Sequence, residues 1–107
     1  MTDEGIMIKD PMGTHIFLLP QICFPEIEKD KAGIYDDLAA VISKPAILIE
    51  HIKDEEKRLY YFRSIGWHNT ILLEIIFKNE RWETAKCTRN PSNEVLLELL
   101  KKGKQLL

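Results

Sequence analysis

Proton transfer near neutral pH is the chemistry most easily placed in this chain. Its 107 residues include three histidines, and imidazole is the side chain that titrates in that range. His15 follows a Gly13-Thr14 turn and opens an apolar segment, which puts an imidazole at the mouth of a core element, where a general base would serve. A histidine merely hydrogen-bonded beside a turn is the plain alternative. His51 falls near the end of a strand and reads as structural, pairing with Glu50 or a neighbouring strand. His68 sits beside Trp67 and reads as an exposed turn residue.

A second group has phosphate chemistry. Tyr61 and Arg63 alternate along one strand; Trp82, Thr84, Lys86 and Thr88 alternate along another. If those two faces coincide, Arg63, Lys86, Tyr61 and Thr84 line a basic, hydroxyl-rich shelf. Cations there would neutralise a phosphodiester and hydroxyls would bond to it. Cross-strand ion pairing with Glu74 or Glu83 is the competing use of the same cations. Other catalytic signals are missing: there is no Gly-rich phosphate loop, no nucleophile elbow and no Cys or His pair at zinc spacing. Asp36-Asp37 and Asp54-Glu55-Glu56 read as solvated charge, so no metal and no cofactor is expected.

Composition limits the partners. With 45% apolar and 30% charged residues, the chain has the balance of a folded globular domain and not of a disordered one. The net charge of −2 means that any nucleic-acid site must be a local cationic patch, because phosphate neutralisation drives such binding. The acidic start Met1-Thr2-Asp3-Glu4, with no apolar run after it, does not read as an export signal. No apolar stretch is long enough to span a membrane. The expected location is therefore cytoplasmic, with Cys23 and Cys87 as thiols in small apolar positions.

The elements that would position these groups follow from hydrophobic period. Gly5 to Gly13 reads as a short strand ending in an Asp10-Pro11-Met12-Gly13 turn. Thr14 to Pro20 is a compact apolar segment whose period does not separate strand from helical turn. Ile34, Leu38, Val41 and Ile42 fall on one helical face, and Lys44-Pro45 ends that helix. Ala46 to Ile52, Leu59 to Ile65, Thr70 to Lys78 and Arg81 to Thr88 read as four strands. Their short connections predict sequential antiparallel hairpins. Asn90 to Glu94 opens a C-terminal helix. The expected fold is one α+β domain over residues 1–107, an antiparallel meander of about four strands packed against an N-terminal and a C-terminal helix. One sheet face should be covered by the helices and the other open. Leu72, Glu74, Ile76 and Lys78 carry the only charges of the third strand, so their face is the candidate open side.

The order of these elements resembles a known family. A His after a turn is followed by a helix ending at Ile42-Ser43-Lys44-Pro45, a strand, a strand with Tyr60-Tyr61-Phe62, a very apolar strand and then Trp82-Glu83-Thr84-Ala85. This resembles the barnase–EndoU–colicin–RelE-like ribonuclease fold, especially its short phage- and mobile-element-associated members, over Gly13 to Asn90. The resemblance implies metal-independent cleavage of RNA, with the ribose 2′-hydroxyl as nucleophile and a cyclic phosphate left behind. It implies His15 as base or acid, Arg63 stabilising the charged phosphorane and Thr84 orienting a phosphate oxygen, with Tyr61 and Lys86 as substrate contacts. It also implies a toxin-type role, with a protein antitoxin or immunity partner. The alternative is a non-catalytic interaction module, immunity-type or a degenerate relative, binding a protein through its sheet face. The nuclease reading requires the His15, Arg63 and Thr84 groups to meet on one side of the meander.

Overall fold

The computed structural model describes residues 6–18, 33–53, 55–64 and 70–106; Cys23, Asp54, His68 and the side chains of Asp36 and Asp37 fall outside them. The chain begins with a short hairpin, β1 (Ile6–Lys9) and β2 (His15–Leu18). Its turn is built on Asp10, whose Oδ1 accepts the backbone N–H groups of Met12 (2.9 Å) and Thr14 (2.7 Å). Gly13 takes φ +89°, a backbone state that costs glycine little and other residues more. The apolar helix period appears as α1 (Gly33–Ser43), which stops one residue short of Lys44-Pro45.

Four long strands follow: β3 (Ile47–Lys53), β4 (Glu56–Ser64), β5 (Thr70–Lys78) and β6 (Arg81–Arg89). Each pairs antiparallel with the next. Asn79 and Glu80 both have positive φ (54° and 63°), as the tightest hairpin link demands. Helix α2 (Asn93–Lys102) is capped by Ser92, whose hydroxyl accepts the Val95 N–H at 3.3 Å, and it ends on Lys101 and Lys102. A two-residue strand, β7 (Lys104–Gln105), completes the set.

The expected fold class is overturned here. The strands form one seven-stranded sheet in the order β1-β2-β6-β5-β4-β3-β7, not a four-stranded meander with two flanking helices. It is a mixed sheet, because β2 joins β6 in parallel while the other pairings are antiparallel. The physical reason lies in length: strands of four and two residues have little periodicity of their own. They exist because edges of the central strands offer unpaired N–H and C=O groups.

Covering one face and leaving the other open is also corrected. Helix α1 lays Leu38, Val41 and Ile42 against Ile16, Leu18, Leu48, Leu59, Tyr61, Ile71, Leu73 and Ile75, the main core. Each such side chain contributes about 1.5–3 kcal/mol by leaving water. Helix α2 sits on the opposite face, where Leu96 and Leu99 pack on a smaller cluster of Ile49, Tyr60 and Leu72. Gly103 permits this: a Cβ there would lie 2.3 Å from Ile49 Cγ2 and 2.9 Å from the Glu50 carbonyl oxygen. The second face is thus covered near β3 and half-open across β5, β6 and β2. Among the described residues, no helix is long and apolar enough to cross a membrane.

Candidate functional site

Strand alternation decides which side chains can meet. On β4 the odd residues Leu59 and Tyr61 face the main core, and the even residues Arg58 and Tyr60 face the half-open side. Pairing carries this parity across the sheet. His51 lies opposite Arg58, Arg58 opposite Ile76, and Ile76 opposite Glu83. In the adjoining row Ile49, Tyr60, Glu74 and Lys86 are successive partners.

Arg58 organises this surface. Its Nε and Nη2 donate to Glu56 Oε1 at 3.1 and 2.9 Å, and its Nη1 donates to Glu74 Oε2. Burial works against the guanidinium charge, yet the carboxylate of Glu74, a bond with Tyr60 and the nearby Glu56 outweigh it and raise the Arg58 pKa further. Tyr60 is raised above its ordinary value, first by burial and then by the Glu74 carboxylate, against the opposing pull of Arg58. His51, Glu56, Arg58 and Tyr60 line a depression of about 270 Å³. The depression thus combines an imidazole, a carboxylate, a fixed guanidinium and a phenol, with the Glu74 carboxylate bound behind it.

The residues singled out from the sequence do not come together. His15 is exposed at the start of β2, one position from the buried Ile16, and so faces the half-open side. Tyr61 faces the main core and is fully buried; its hydroxyl donates to Asp10 Oδ2 at 2.6 Å. Burial and then that hydrogen bond push the phenol far above the ordinary tyrosine range. Thr84 is 2% exposed on the same side and donates to the Phe17 carbonyl oxygen at 3.2 Å. Arg63 shares the parity of Tyr61 and donates from Nη1 to the Lys44 carbonyl oxygen at 2.6 Å. The sheet therefore separates His15 from Arg63 and Thr84, and the nuclease site built on those three groups is overturned.

Lys86 is the further surprise. The register of β5 with β6 shifts between Glu74 and Ile75, so that Glu74 faces Lys86 while Ile75 faces Thr84. That bulge inserts Ala85 and reverses the alternation. Trp82 and Thr84 share the core side; Lys86 and Thr88 share the half-open side. The single shelf expected from period-two counting is thus split by one extra residue. Nor do Glu74 and Glu83 pair with Arg63 or Lys86: Glu74 binds Arg58, and Glu83 binds Arg81 at 2.9 Å.

His51, Glu56 and Arg58 were missed as partners in one site. A signal was present, because Glu74 lies on the face whose charges marked it as open, and antiparallel pairing of two hairpin strands brings only one parity of β4 onto that face. Among the described residues, no group of three or more His, Cys, Asp or Glu is placed to hold a metal ion. No protein family, curated protein or solved structure matches the chain.

Proposed function

We propose that this chain is a metal-independent endoribonuclease of toxin type whose site is not the one the resemblance implied, since the sheet separates His15 from Arg63 and Thr84, but the depression formed by His51, Glu56, Arg58 and Tyr60. The observation that carries the reading is the convergence of an imidazole and a carboxylate on a guanidinium fixed from two strands. RNA cleavage by its own 2′-hydroxyl needs this combination. Glu56 takes the proton from the 2′-oxygen as that oxygen bonds to phosphorus. The His51 imidazolium gives a proton to the departing 5′-oxygen as its bond to phosphorus breaks. The guanidinium of Arg58 meets the phosphorane charge. The products are a 2′,3′-cyclic phosphate and a 5′-hydroxyl. A cytoplasmic location, and a protein antitoxin that silences the site, belong to the same proposal.

The test is incubation with total RNA in EDTA, reading product length and 3′-end chemistry. Glu56→Gln and His51→Ala should each slow cleavage by about 100- to 10,000-fold while circular dichroism and melting stay as in the parent. Cleavage that needs a divalent cation, or that survives both substitutions, would refute the assignment.

A second reading is a non-catalytic module that binds a protein through the same face. It is favoured by the pairing of Arg58 and Arg81 with carboxylates and by the exposed Val95, Leu97 and Leu100 of α2. That reading requires that no RNA product form at any protein concentration.

A further inference from the structure

The chain is acidic as a whole, yet one row of its half-open face is basic. Lys78 on β5 pairs with Arg81 on β6, and Lys9 on β1 pairs with His15 on β2. The parallel pair Ile16–Trp82 joins the two halves: one residue back on each strand, His15 stands beside Arg81. Lys9, His15, Arg81 and Lys78 thus occupy four adjacent strands, all exposed. At about 4.8 Å per strand the row runs roughly 14 Å.

The next row adjoins these cations with Met7, Phe17 and Ile76, and with the Glu83 carboxylate beside Arg81. Met7, Phe17, Glu83, Ile76, Arg58 and His51 are successive partners across six of the seven strands. The Arg81 guanidinium lies over the Phe17 ring, 4.2 Å from its centroid, and Glu83 holds it from the side. This gives a flat cationic plate on an aromatic base. Helix α2 packs over β3 and β7 and leaves that end of the face uncovered. One strip therefore runs from the plate, past Ile76, to the depression at Arg58 and His51.

We infer that the Lys9, His15, Arg81 and Lys78 row with the Phe17–Arg81 plate is a track for single-stranded RNA, carrying the strand into the depression. The inference rests on the ribonuclease reading for its choice of ligand. Its chemistry is that of sequence-tolerant strand binding: cations follow the phosphates and one base stacks on the aromatic–guanidinium plate. A duplex would present its phosphates on a convex rod, whereas this row is a shallow line beside a single stacking plate. The track also gives His15 a place, as a phosphate contact remote from the proton-transferring groups.

The experiment uses a fluorescein-labelled 2′-O-methyl oligonucleotide, which lacks the nucleophile and stays intact. Anisotropy is read in EDTA at about pH 8 over about 50 to 200 mM salt. Lys9→Gln with Lys78→Gln removes two charges of the row and should make the log–log salt slope about 1.4 less negative than in the parent. Phe17→Leu, which keeps an apolar side chain at a half-buried position, should weaken binding roughly 2- to 5-fold by loss of the ring that holds the Arg81 guanidinium flat. Unaltered binding in these variants, or no oligonucleotide binding by the parent, overturns the track; so does capture of a protein partner that depends on the same residues in place of RNA. If the variants weaken binding but the parent cuts no RNA, the track stands and the nuclease reading falls. If RNA is cut with unchanged KM in the variants, only the track falls.

Discussion

Tyr61→Phe separates a structural from a substrate-binding role for that phenol. In the parent the Asp10 carboxylate, 4% exposed, binds two backbone N–H groups through Oδ1 and the Tyr61 hydroxyl through Oδ2. The substitution removes one hydroxyl and leaves a buried carboxylate oxygen without that donor. A hydrogen bond to a charged group contributes about 1.5–3 kcal/mol. At about 2.1 cal/mol/K of unfolding entropy per residue, a chain this long loses roughly 4 °C per kcal/mol, so Tm should fall by about 6–12 °C. The effect has a pH signature. Burial and the Asp10 bond raise the folded phenol's pKa, while the unfolded one titrates near about 10. Below pH 10 both states keep the proton and the full stabilisation is present. Above it the unfolded state binds fewer protons, so parent stability falls as pH rises, by up to about 1.4 kcal/mol per pH unit. Tyr61→Phe lacks this slope, and its deficit should shrink between about pH 10 and 11. Urea denaturation across that range measures both terms. An unchanged Tm together with weakened RNA binding would return Tyr61 to the substrate and refute the structural assignment.

Thr84→Val should cost about 0.5–1.5 kcal/mol through loss of the bond to the Phe17 carbonyl, with RNA cleavage unchanged because the hydroxyl lies behind the sheet; urea melts and the cleavage assay read the two effects. Gly103→Ala should destabilise by about 1–3 kcal/mol, since its methyl would press on Ile49 and the Glu50 carbonyl. Hydrogen exchange should show the damage at the Leu106 N–H, which donates to the Leu48 carbonyl at 2.7 Å.

The family resemblance supplied a reaction type, but the residues it implied rest on parity that the sheet does not keep. Counting alternate residues along β6 places Thr84 and Lys86 together; the bulge at Ala85 puts them on opposite sides. Counting along β4 joins Tyr61 to Arg63 correctly, yet that pair shares the core side with Leu73 and Ile71. The charged set of β5 was legible as the open side, because Glu74 and Lys78 interrupt an otherwise apolar strand. His51 was not, since a hairpin's register is needed to set it beside Arg58; nor was Glu56, which reads as part of a solvated turn and is in fact the first residue of β4.

Local pattern alone determined the helix of Leu38, Val41 and Ile42, the capped helix after Ser92, the four long strands and the two-residue turn at Asn79-Glu80. Each depends on period, caps or dihedral preference within a few residues. Tertiary structure decided that β2 lies parallel to β6, that β1 and β7 extend the sheet to seven strands and that α1 and α2 take opposite faces. Those choices depend on which distant backbone edges are left to pair and which apolar faces are left to cover, and no window along the chain contains both partners.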